Sequence, residues 1–137
     1  MGDFVYNKEY PSNPEVLPEI ENYILEIAQK HNMSDDNLNL LALSVSEASS
    51  NSIIHGNKSD PTKIVKLEIL VADNSFLVKF LDQGEGFDPN AVPDPTVPEN
   101  LLKDHGRGIH IMKSYLNRLK YNFTPNGTET ILELELK

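Results

Sequence analysis

The chain has 137 residues, 39% of them hydrophobic, with no Cys and no Trp, and a formal net charge of −9. That length suits one domain, 1–137, around one core built from Leu, Ile and Val. The acidic excess argues against a main task of neutralising nucleic-acid phosphates or docking on an anionic membrane. Without Cys there are no disulfides or thiolate metal sites, and no apolar run approaches the roughly 20 residues of a spanning helix.

The opening "MGDFVYNKEY" lacks a basic region followed by an apolar stretch, so no secretory signal is expected and a cytoplasmic location is compatible. Within it Phe4, Tyr6 and Lys8 alternate with Val5 and Asn7, a weak strand suited to a sheet edge. In "SNPEVLPEIENYILEIAQKHN", Ser12 or Asn13 can cap a helix that has Pro14 at its first position and Ile20, Ile24 and Ile27 along one stripe. Ser34 caps the next helix, two acids occupy its first turn, and Leu38, Leu41, Ala42, Val45, Ala48 and Ser49 form its inner stripe up to a terminator at Gly56.

"KIVKLEILV" and "FLVKFLD" alternate on either side of "ADNS" and predict an antiparallel hairpin. A proline-rich loop from Gln83 to Gly106 follows, longer than most structureless connections. "GRGIHIMKSYLNRLKY" returns to helical spacing through Ile109, Met112, Leu116 and Leu119, and "RLKYNF" and "ETILELELK" close on a turn with Asn126-Gly127. The order predicts an α+β two-layer sandwich, helices on one face of a mostly antiparallel sheet.

Several positions could carry chemistry, each with a plainer alternative. Glu47 and Asn51 lie four residues apart on one side of a helix, with His55 continuing the line. A carboxylate can take a proton and an amide oxygen can meet a hard cation, but for the pair taken alone a solvated polar face with a local hydrogen bond is the favoured reading. Asp82 ends a strand and can accept from an exocyclic amine, while Gly84 and Gly86 allow close backbone approach; a glycine-rich turn is the alternative. Gly106 and Gly108 precede a helix whose free N–H groups could hold phosphate, or they form a hinge. Arg107 between them is, taken alone, a surface arginine in a loop. His55 and His105 lack a third ligand at metal-binding spacing.

Taken in order, E-x-x-x-N on a helix, D-x-G-x-G-F after a strand, a long loop, G-x-G into a helix and N-G-T at a final hairpin resemble the nucleotide-binding set of the gyrase, Hsp90, histidine-kinase and MutL superfamily of ATPases. Within it, "LALSVSEASSNSIIHGN", "DQGEGFDP" and "HGRGIHIMK" look most like bacterial anti-sigma-factor serine kinases of the partner-switching type. The resemblance implies a Bergerat-type ATP-binding fold with a four- to five-stranded sheet and three helices on one face. It implies ATP and Mg²⁺ as cofactors, a homodimer, and as partners an antagonist (anti-anti-sigma) protein and a sigma factor.

By the same resemblance Glu47 is the general base for a partner's serine, Asn51 holds Mg²⁺, Asp82 receives the adenine amine and Thr128 assists it. Gly84 and Gly86 shape the adenine pocket, and Gly106, Arg107 and Gly108 face the phosphates. His105 makes the phosphate loop less glycine-rich than in many such ATPases. The alternative function is a nucleotide-dependent protein-binding switch with little phosphotransfer, which keeps the same pocket.

Overall fold

Alternation of apolar and polar side chains is the signal of a half-buried strand, and here it builds most of the sheet. The computed structural model describes residues 3–83, 118–124 and 127–137. Its five strands are β1 (Phe4–Pro11), β2 (Ile64–Ala72), β3 (Ser75–Leu81), β4 (Arg118–Thr124) and β5 (Gly127–Glu135), in the order β1-β2-β3-β5-β4 and antiparallel throughout. As the short, polar composition of "DFVYNKEY" suggests, β1 lies at an edge. In β2, Val65, Leu67, Ile69 and Val71 are buried, as are Phe76, Val78 and Phe80 in β3.

Against that face pack α1 (Leu17–Lys30) and α2 (Asp35–Ser50). Asn13 is the residue that caps the first helical stretch, accepting from the Glu15 N–H at 3.0 Å. A short 3₁₀ turn, Pro14–Val16, then leads into α1, so Pro18 falls where a missing donor costs little. Ser34 caps α2 by accepting from the Asn37 N–H at 3.3 Å, and its own N–H donates to Leu136 O at 2.8 Å, tying the helix start to the end of the sheet.

Ile20, Ile24, Leu41, Val45, Ala48 and Ile53 form the helix side of the core and are fully buried. Each large side chain contributes about 1.5–3 kcal/mol. The outer sheet face carries the ion pairs Lys79–Glu68 at 3.5 Å and Lys79–Glu129 at 3.8 Å, each worth about 1 kcal/mol or less because water screens them. Apolar burial between the layers therefore dominates.

The sheet and both amino-proximal helices match the sequence expectation. The third helix does not extend through Leu119 as its spacing suggests: Leu119 is in β4, paired with Leu132 and packed against the core. Pairing with β5 outweighs the local period there. The remainder of that expected helix lies outside the described residues. Among the described residues no helix is long and apolar enough to cross a membrane.

Candidate functional site

The helix α2 delivers Glu47, partly exposed, and Asn51, fully buried, to the same end of the sheet. From Asn51 to Gly56 the chain widens into a π turn, in which the Asn57 N–H reaches back five residues to Ser52 O at 2.9 Å. Such wide turns are frequent at functional sites. His55 is exposed, as is Ile54, so the polar line read from the sequence ends at Asn51.

Asp82, one residue beyond β3, is buried with 1% exposure. Its backbone N–H donates to Thr128 O at 3.0 Å, and its Oδ1 accepts from the Thr128 N–H at 3.1 Å. The carboxylate thus replaces a backbone carbonyl in the last rung between β3 and β5. On either side it is flanked by glycines: Gly56 abuts the carboxyl group, and Gly127, with φ 152°, lies against the Asp82 carbonyl. Neither place has room for a Cβ.

Around this corner several buried polar groups make no hydrogen bond among the described residues. They are the Ser52, Thr128 and Thr130 hydroxyls and the amide of Asn51. Leaving such atoms without partners costs roughly 1–3 kcal/mol each, so a cluster of them points to a ligand. Tyr121 of β4 lies beside this cluster: burial pushes its hydroxyl well above the usual tyrosine range, the neighbouring Glu47 carboxylate pushes it further, and the Asn51 amide pulls it partly back. Asn51 therefore lies close to Tyr121. Sequence reasoning found Thr128 but passed over Ser52, Tyr121 and Thr130. The available signal was two threonines on the inward face of β5, in register with Leu132 and Leu134.

The sequence-predicted set is thus brought together in part. Glu47 and Asn51 share Tyr121 as a neighbour, while Asp82 and Thr128 are hydrogen-bonded to each other. Gly84, Gly86, Gly106, Arg107 and Gly108 lie outside the described residues.

A sequence model of the histidine kinase-like ATPase domain matches residues 10–134. The chain belongs to that family. It is 30% identical over 128 residues to a protein of Bacillus licheniformis named serine-protein kinase RsbW, covering 87% of this chain and 78% of the relative. It is 33% identical over 100 residues to the anti-sigma F factor of Geobacillus stearothermophilus, covering 70% and 67%. The fold is similar to that of the RsbU and RsbW domains of Rv1364c from Mycobacterium tuberculosis, with a TM-score of 0.70 at 10% identity, over 96% of this chain and 31% of that longer one. A blue-light activated histidine kinase of Erythrobacter litoralis gives 0.57 at 19% identity, over 92% and 61%. Membership of the histidine kinase-like ATPase family implies that the chain binds ATP.

The residues also fit a divalent cation delivered with that nucleotide. Among the described residues no group of three or more His, Asp or Glu could hold a metal alone, whereas Asn51 Oδ1 is buried without a hydrogen bond. Mg²⁺ commonly uses one or two protein oxygens and takes the rest from phosphates and water.

Proposed function

We propose that this chain is an ATP-dependent serine protein kinase that acts as an anti-sigma regulatory factor. It occupies 1–137 as one cytoplasmic ATP-binding domain and phosphorylates a serine of a small antagonist protein. The reading is carried by one observation: the buried Asn51 amide, without a hydrogen bond among the described residues, stands one helical turn beyond Glu47 and beside Tyr121. Membership of the histidine kinase-like ATPase family supports ATP as the nucleotide, and relatives named serine-protein kinase and anti-sigma F factor support the reaction and the partners.

In this mechanism Asp82, held by Thr128, accepts the adenine amino group. Asn51 holds Mg²⁺, which when bound offsets the charge of the phosphates. Glu47 takes the proton of the antagonist's serine as its oxygen bonds to the γ-phosphorus and the bond to ADP breaks. Gly84 and Gly86 line the adenine side, and Gly106, Arg107 and Gly108 meet the phosphates. The sigma factor is the second partner, and the kinase works as a homodimer, which light scattering would check.

Incubation with radiolabelled ATP beside candidate antagonist domains tests the reading. Label is expected on serine of the antagonist and to be lost from an antagonist whose serine is replaced by alanine. Absence of ATP binding at millimolar nucleotide in calorimetry would overturn it.

A further inference from the structure

Between β2 and β3 the register stops at Lys66 opposite Leu81, one residue before Asp82. Beyond that rung the two strands no longer exchange backbone hydrogen bonds, and a side chain from the end of the π turn takes over. Asn57, fully buried, accepts the Gln83 N–H on its Oδ1 at 2.7 Å. Its Nδ2 donates to Ser12 Oγ at 2.6 Å and to Ile64 O at 3.3 Å. Gln83 closes the circuit, its Oε1 accepting from the Ile64 N–H at 2.7 Å. Residues 56 and 57 thus grip residues 82 and 83: Gly56 packs on the Asp82 carboxyl while Asn57 holds the next peptide.

We propose that Asn57 is a positioning residue for base selectivity, its carboxamide fixing the backbone at Gln83 and hence the place of the Asp82 carboxylate. The proposal rests on Asp82 reading the base. Only an amide meets the demands of the position, one acceptor toward Gln83 and donors toward Ser12 and Ile64. Aspartate has no donor for the Ile64 carbonyl, and alanine removes a partner from the buried Ser12 hydroxyl and from the partly buried Ile64 carbonyl and Gln83 N–H. Thr128 holds Asp82 from the β5 side and Asn57 holds the following peptide, so without Asn57 the backbone that carries the carboxylate loses one of its supports. A site that selects by hydrogen bonding loses discrimination when its polar group is displaced.

Calorimetric titration with ATP and with GTP, on the wild-type chain, Asn57→Ala and Ile24→Val, tests this. Ile24→Val thins the core far from Asp82 and reports what loss of stability alone does. The ATP-over-GTP preference is expected to fall by about tenfold in Asn57→Ala, the scale of one buried hydrogen bond, and to persist in Ile24→Val. A folded Asn57→Ala with the wild-type preference overturns the proposal. If Asn57→Ala does not fold, Ser12→Ala, which removes one donor contact of the amide, decides: a reduced preference supports the role, an unchanged one overturns it. Equal affinity of the wild-type chain for ATP and GTP overturns the base-reading role of Asp82, and that of Asn57 with it.

Discussion

Gly56 lies so close to the carboxyl group of Asp82 that a methyl group added at Gly56 would sit 2.7 Å from Asp82 Cγ. Gly56 ends the π turn, and Asp82 follows the last residue of β3, so one added carbon would push the carboxylate proposed to read the base off its Thr128 support. Gly56→Ala is expected to cost about 1–3 kcal/mol of stability through overpacking and to weaken ATP by about tenfold or more. Urea unfolding and calorimetric titration measure the two losses. Wild-type ATP affinity in the folded variant would show that the carboxylate does not need this place.

Asp82→Asn separates charge from position. The Thr128 N–H requires an acceptor, so the amide oxygen turns toward it and the NH₂ faces the nucleotide, where it opposes the adenine amine and suits the guanine carbonyl. ATP affinity is expected to fall about tenfold to a hundredfold, the scale of a charged hydrogen bond, and the preference to move toward GTP. An unaltered preference would remove Asp82 from base recognition.

The strands and caps were legible in the sequence because their causes are local: alternation for β2 and β3, a hydroxyl before two acids for α2. Leu119 was misread because a helical period and a strand overlap there, and pairing with Leu132 decides between them. Asp82 stood out as a carboxylate ending an apolar run. Its clamp did not, since Asn57 meets partners 7, 26 and 45 residues away and nothing in "HGNKS" marks it. The π turn is of the same kind, and so is Tyr121, whose role depends on a helix from the other end of the chain.

Glu47→Ala divides binding from transfer. A base is dispensable for holding nucleotide, so ATP affinity should stay within about twofold while phosphorylation of the antagonist falls by about 10²–10⁴-fold. Calorimetry and labelled-phosphate transfer read the two quantities. Transfer at the wild-type rate would remove Glu47 from the mechanism, and a wild-type chain that binds ATP without transferring phosphate would favour the protein-binding switch.

Tyr121→Phe removes the hydroxyl beside Glu47 and Asn51. Burial and the Glu47 carboxylate both keep that hydroxyl protonated, so at neutral pH it is a neutral donor next to the proposed base and metal ligand. The variant should keep the fold, since the ring still fills its place. The phosphorylation rate at saturating ATP is expected to fall about tenfold, with a smaller change in KM for ATP. An unchanged rate would leave Tyr121 a packing residue.

Tyr10 sets the alkaline limit of the β1 edge. Burial, then Glu19 and Tyr23, raise its hydroxyl from 10.0 to about 12 in the folded chain. Because the folded state holds the proton more tightly than the unfolded state, its contribution to stability is full below pH 10 and is lost as pH rises from about 10 to 12. The hydroxyl is also buried without a hydrogen bond among the described residues, so Tyr10→Phe should gain roughly 1 kcal/mol at neutral pH and fall less steeply above pH 10. Urea midpoints for both proteins across that range would decide, and parallel alkaline slopes would show that Tyr10 has no part in the loss.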